Sequence, residues 1–138
     1  MICYHGTKKE IAKSIIGPPK NIDVTLGKGE LGRGFYAGEN LALAASFAAG
    51  KFGNKEKAIL EINIKNSDFV KLNIKSINRQ TLIYKHWQTL IRNKETNTFL
   101  YGVDVIVAPF ATLDFSHQYK FESFPVQKTL NNSKVTIL

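Results

Sequence analysis

Tyr4-His5-Gly6-Thr7, followed by Gly32-Arg33-Gly34-Phe35-Tyr36-Ala37 with Tyr36 31 residues after His5, are the two stretches on which the reading of this chain turns. In each, a short apolar run of strand character adjoins glycines that let another backbone or a ligand come close. Ile2-Cys3-Tyr4-His5 reads as a strand. Thr7 offers an N-cap to a helix over 8–16, where Ile11, Ile15 and Ile16 recur at helical spacing, and Gly17-Pro18-Pro19 ends it. Gly27, Gly29, Gly32 and Gly34 mark a loop with unusual backbone angles or close approach, and Phe35-Tyr36-Ala37 leaves that loop as a strand. Asn40 is placed to cap a helix over 41–49, with Gly50 or Gly53 to end it.

Outward from this start the pattern stays mixed. Residues 21–26 read as loop or a short strand. Ala58, Leu60, Ile62 and Ile64 alternate along a strand over 57–64, and 69–72 and 104–108 read as further strands. Helical spacing runs over 77–93, placing Trp87 on an apolar stripe and His86 beside it as structural residues. Strands are expected at 118–124 and 134–138. No repeat or low-complexity tract interrupts the chain, so 1–138 reads as a single α+β domain with a largely antiparallel sheet.

Composition bounds the function classes. A chain of 138 residues that is 43% hydrophobic can bury a core of its own without staples. The lone Cys3 excludes an internal disulfide, and no His, Cys, Asp or Glu spacing suggests a metal. No run approaches a membrane span, and the N-terminal residues lack the pattern of a secretory signal. These features suit a cytoplasmic protein, or one delivered into a target cell's cytosol by a signal-free route. The net charge of +8, spread along the chain, favours polyanionic or phosphate-bearing partners without choosing among them. Gly27–34 is not a phosphate-cradling P-loop, since no Gly-Lys-Ser/Thr follows, and it lacks the Rossmann fingerprint. Ser46 has no nucleophile-elbow context.

Taken singly, His5 reads as a packed histidine, Tyr36 as a strand aromatic and Phe47 as a core residue. Taken together, the His-Gly-Thr string and the later Gly-x-Gly-Phe-Tyr string followed by a helix resemble the diphtheria-toxin and poly(ADP-ribose)-polymerase branch of ADP-ribosyltransferases, named for a His-Tyr-Glu triad. The match covers residues 3–48 best. It implies a split antiparallel sheet with flanking helices and an NAD cleft. It also implies that His5 donates a hydrogen bond to the adenosine-side ribose, that the Gly6 backbone pairs with the nicotinamide carboxamide, and that Tyr36 and Phe47 stack on the two nicotinamide faces. Thr7 and Gly34 belong to the same NAD-binding motifs, and Arg33 is placed to reach a phosphate of NAD.

The third motif departs from the family. In His117-Gln118-Tyr119-Lys120-Phe121 a glutamine stands where the resemblance expects the glutamate, 82 residues after Tyr36. Gln118 can bond a ribose hydroxyl but carries no charge, which argues against chain elongation. Glu122 is the rival for the third catalytic position, because the period of two sets it on the face of Gln118. His117 is a candidate for the acceptor side, and Glu39 reads as an exposed residue at a helix start. The resemblance implies NAD as co-substrate, no metal, and transfer of one ADP-ribose unit to a protein or nucleic acid by a toxin, effector or defence enzyme, with an antitoxin or immunity protein as a partner. The alternatives are an NAD glycohydrolase or RNA 2′-phosphotransferase of the same fold, and an inactive module that binds NAD or ADP-ribose.

Overall fold

The computed structural model describes residues 1–81, 98–110 and 116–138. Among them the order is β1 (Ile2–Lys8), α1 (Lys9–Ile16), β2 (Lys28–Gly29), β3 (Gly32–Arg33), β4 (Phe35–Gly38), α2 (Leu41–Phe52), β5 (Lys57–Asn63), α3 (Asn66–Phe69), β6 (Ile74–Ser76), α4 (Arg79–Thr81), β7 (Val105–Pro109), β8 (His117–Phe121), α5 (Phe124–Asn131) and β9 (Lys134–Ile137). One sheet runs β6-β7-β8-β4-β1-β5-β9, and β2 with β3 forms a small separate hairpin. Among the described residues only β6 with β7 is parallel. The chain is therefore α+β with a mainly antiparallel sheet, as expected.

The alternation in β5 decides which face is core. Ala58, Leu60 and Ile62 are buried while their neighbours are not, as the period of two requires. They meet Cys3 of β1 and Phe121 of β8, and Ala12 and Ile15 of α1 with Val126 and Leu130 of α5 close the cluster. Each fully buried Leu or Ile contributes about 1.5–3 kcal/mol, so this layer carries most of the packing. Burial also pushes the Cys3 thiol up to about 12, which leaves it inert as a nucleophile. Helix α2 covers the opposite face. Its Ala44 and Ala48 are the small residues that let it sit close on β1.

Three local expectations differ. Thr7 is not a helix cap: Thr7 pairs with Ala58 and the strand continues to Lys8 opposite Lys57. The first helical amide, Lys9 N, donates instead to the Glu56 carbonyl at 2.8 Å. Residues 69–72 are not a strand, because Asn66–Phe69 turns as a short helix and Phe69 and Leu72 pack on the core. The strand expected over 118–124 stops at Phe121, where Ser123 accepts from Val126 N at 3.1 Å and opens α5 with Pro125 in its first turn. Of the helix expected over 77–93, Arg79–Thr81 is helical. Its remainder from residue 82 on, with His86 and Trp87, lies outside the described residues. Among the described residues no helix is long and apolar enough to cross a membrane.

Gly6 couples strand to helix. A Cβ there would stand 2.4 Å from the Ala44 carbonyl oxygen and 3.1 Å from the Ala48 Cβ, so α2 would have to lift. Gly6→Ala is expected to lower stability by about 1–3 kcal/mol through overpacking. Urea unfolding would show it as a lower midpoint with an unchanged slope; an unchanged midpoint would contradict the close approach.

Candidate functional site

Strands β1 and β4 share a single registered pair, Tyr4 with Gly38. Past it the ladder gives way, and a cleft of about 150 Å³ opens there. Its sheet side is formed by Tyr4, His5 and Gly6 of β1 and Tyr36, Ala37 and Gly38 of β4. Asn40, Leu43, Ala44 and Phe47 line it from the α2 side, and Phe110, Ser116 and Gln118 complete it. The mostly apolar lining with a few polar groups suits a small-molecule ligand.

His5 spans the gap between the strands. Its Nδ1 lies 2.6 Å from the Tyr36 carbonyl oxygen, and its ring stacks on Phe35 at 4.3 Å between centroids. A carbonyl only accepts, so Nδ1 carries the proton. Burial pulls the His5 pKa below 6.5; the Tyr36 carbonyl opposes this and the Lys51 ammonium adds to it. The ring is therefore neutral near pH 7, and Nε2 is an acceptor. With Nδ1–H committed to the Tyr36 carbonyl, Nε2 is the ring atom left to face a ligand.

Tyr36 is fixed by the glycine-rich loop. Its hydroxyl donates to the Gly32 carbonyl at 2.5 Å and accepts from Leu31 N at 3.0 Å. Gly29 lies against the ring, where a Cβ would be 2.9 Å from Cζ. Gly32, with φ +96, makes the turn that brings Arg33 N to the Phe99 carbonyl at 3.0 Å. Burial raises the phenol pKa well above its usual value, so the hydroxyl stays protonated.

Gln118, on β8, pairs with Gly38 on one side and Ala108 on the other, which holds it at the cleft. Its Nε2 donates to the Glu30 carboxylate and, at 3.3 Å, to the Pro109 carbonyl. Phe47, a core residue when read singly but a site residue by the resemblance, is half-exposed at the cleft, 5.4 Å from Phe110 between ring centroids. Ser116 Oγ is buried in the lining and has no hydrogen-bond partner among the described residues. Phe110 and Ser116 carry no motif of their own, and only the pairing of β7 with β8 brings them to the site.

The other candidates lie elsewhere. Glu122 follows β8 and is nearly fully buried, 2.7 Å from Lys120 Nζ, and accepts from the amides of Tyr101 and Gly102 at 3.1 and 2.9 Å. All of its strong interactions are thus with the protein, and it borders a second concavity together with Arg33. Thr7 is buried away from the cleft lining, and Gly34 packs on Lys120 and Phe121 of β8. His117 lies one residue out of phase with Gln118; its backbone N donates to Glu39 at 2.8 Å and its Nδ1 lies 3.1 Å from the same oxygen. Among the described residues no group of three or more His, Cys, Asp or Glu could hold a metal ion. No protein-family model matches this chain, and no curated protein matches it in sequence.

Two outcomes follow from this geometry. The His5 imidazole should titrate with a midpoint below 6.5 and show the Nδ1–H tautomer in nitrogen NMR spectra; a midpoint above 7 would contradict it. Because the unfolded chain then takes up this proton first, stability from this group falls as pH drops below about 6.5 and levels off below the folded midpoint. Glu122→Gln leaves Lys120 as a buried, uncompensated charge and is expected to cost about 3–5 kcal/mol in denaturant unfolding. An unchanged stability there would show that the pair is not the closed unit the distances describe.

Proposed function

We propose that this chain is a mono-ADP-ribosyltransferase that cleaves NAD at its nicotinamide–ribose bond and passes ADP-ribose to a macromolecule. The observation that carries the reading is the convergence of His5, Tyr36 and Gln118 on one cleft from three neighbouring strands, although the first and last are far apart in sequence. A sheet split at β1 and β4, with α2 over the gap, is also what an ADP-ribosyltransferase-like fold would need to seat NAD.

The residues present fit such a ligand. Tyr36 and Phe47 offer aromatic surface for a nicotinamide ring, and Gly6 leaves its backbone unobstructed. The Ser116 hydroxyl, without a partner among the described residues, offers a hydrogen bond to a polar substituent. His5 Nε2 accepts from a ribose hydroxyl. In the reaction the bond between ribose C1′ and the nicotinamide nitrogen breaks, and its electron pair leaves with neutral nicotinamide. The ribose takes on oxocarbenium character, an acceptor oxygen or nitrogen bonds to C1′, and the acceptor's proton passes to solvent or a base. Among the described residues the lining holds no carboxylate to take that proton, which favours one transfer to an acidic acceptor over chain growth. The +8 charge favours an acceptor with phosphates or acidic side chains. Such an activity suits a toxin, effector or defence enzyme.

Incubation with labelled NAD and cell lysate, split between protease and nuclease, tests this. Label that survives protease but not nuclease means a nucleic-acid acceptor, and the reverse means a protein. Free ADP-ribose alone means a glycohydrolase, and no nicotinamide release at any enzyme level overturns the catalytic reading. His5→Ala and Tyr36→Ala should each lower nicotinamide release about 100-fold or more, as expected when the bound geometry is lost. Tyr36→Phe keeps the ring and should lose less.

A further inference from the structure

Gln118 brings no negative charge to a site where a cation develops, yet a carboxylate touches it from behind. Glu30 lies at the tip of the β2–β3 hairpin, whose pairs Lys28–Arg33 and Gly29–Gly32 leave Glu30 and Leu31 as a two-residue turn. Leu31 is fully buried in a second core cluster, so the tip is anchored. The same turn holds both site residues: Leu31 N and the Gly32 carbonyl bond the Tyr36 hydroxyl, and the Glu30 carboxylate accepts from Gln118 Nε2. Glu30 is 88 residues from Gln118 in sequence, so no linear motif reports the pairing.

We propose that Glu30 is the positioning residue of this site, orienting and polarising Gln118 so that its amide oxygen serves where a catalytic carboxylate would otherwise stand. The inference rests on the NAD-cleaving reading above. Both groups facing Nε2, the Glu30 carboxylate and the Pro109 carbonyl, can only accept. The NH₂ end is therefore turned to the protein and Oε1 is the end left for a ligand. Among the described residues Oε1 receives no hydrogen bond from the protein. An anion accepting from an amide N–H shifts electron density onto the amide oxygen, and hydrogen bonds in such a chain strengthen one another. Oε1 then accepts from the nicotinamide-ribose hydroxyl and faces the ribose as it becomes cationic. Glu30 itself does not need to touch NAD.

The test compares wild type, Glu30→Ala, Glu30→Gln, Gln118→Glu and the swap Glu30→Gln/Gln118→Glu for nicotinamide release with NAD alone. Glu30→Ala should lower kcat about ten- to hundredfold, the loss of one charge-assisted hydrogen bond, with KM changed less than about threefold. Glu30→Gln keeps an acceptor in place, folds even if the alanine variant does not, and should fall between. Gln118→Glu sets two carboxylates against each other and should lose activity. The swap restores an amide–carboxylate pair with the charge on the cleft side, and should exceed Gln118→Glu about tenfold or more. That rescue is one a merely structural Glu30 would not give. The side-chain amide protons of Gln118 should also shift in NMR spectra of Glu30→Ala. An active wild type with unchanged kcat in Glu30→Ala, or a swap no better than Gln118→Glu, overturns the role of Glu30 alone. A wild type that neither binds NAD nor releases nicotinamide overturns the NAD reading and this role together.

Discussion

Where strand pairing ends, a side chain takes its place. Between β1 and β4 the sheet is registered at Tyr4–Gly38 alone, and one position further the His5 imidazole donates to the Tyr36 carbonyl. A continued ladder would seal the sheet and leave no cleft. An unsupported split would strand the Tyr36 carbonyl in a half-buried place, at the cost of an unmade hydrogen bond. The imidazole resolves both demands, and in doing so its tautomer and its position are fixed by the backbone of the next site residue. Burial, not this bond, holds His5 neutral: the Tyr36 carbonyl favours the protonated ring, and burial outweighs it.

The parts around this gap depend on it in turn. Helix α2 closes over it only because Gly6 leaves room for the Ala44 carbonyl, and Phe47 thereby reaches the cleft rather than the core. The glycine-rich loop folds back onto Tyr36 because Gly29 lies flat on its ring and Gly32 takes a positive φ. Beneath β8 the buried Lys120 and Glu122 neutralise each other and tie the strand's end to the amides of Tyr101 and Gly102. Such a pair is weak evidence for stability but strict about geometry, since either member alone is costly. It holds the strand that carries Gln118.

Local signals were legible in the sequence, and long-range ones were not. The alternation of Ala58, Leu60 and Ile62, the Asn40 cap and the strand at Tyr36 follow from spacing, because these elements satisfy their own periodicity. Thr7 misled because its extended state is set by pairing with Ala58, 51 positions away, which outweighs a local capping preference. Helix α5 was readable after all: Ser123 followed by Pro125 is a helix start, hidden by carrying the strand from Gln118 on to Phe124. At the site, His5, Gly6 and Tyr36 came from motifs. Phe47 came from the resemblance alone, its own spacing pointing to the core. Glu122 shares the parity of Gln118, but parity says nothing about which partner waits on that face; the partner is Lys120. Ser116 and Phe110 had no signal, since the β7–β8 pairing alone brings them in.

The cleft has one more property that composition hides. The chain carries +8, yet among the described residues none that lines the cleft bears a formal charge: His5 is held neutral, Tyr36 is kept protonated and Gln118 is an amide. The nearby charges stand one layer back, Lys51 towards His5 and Glu30 behind Gln118. Under the proposed reading this arrangement is directional. A nicotinamide ring that begins as a cation sits among neutral walls, and positive charge passes to the ribose as the ring leaves. Charge therefore moves from the apolar side of the cleft towards the side backed by a carboxylate. Fixed dipoles and a set-back anion act on that movement more than on the bound substrate, which is the differential stabilisation a rate enhancement requires. A glutamate at position 118 would place the full charge in contact with the ribose. Gln118 with Glu30 places a graded one there, enough to favour the cation.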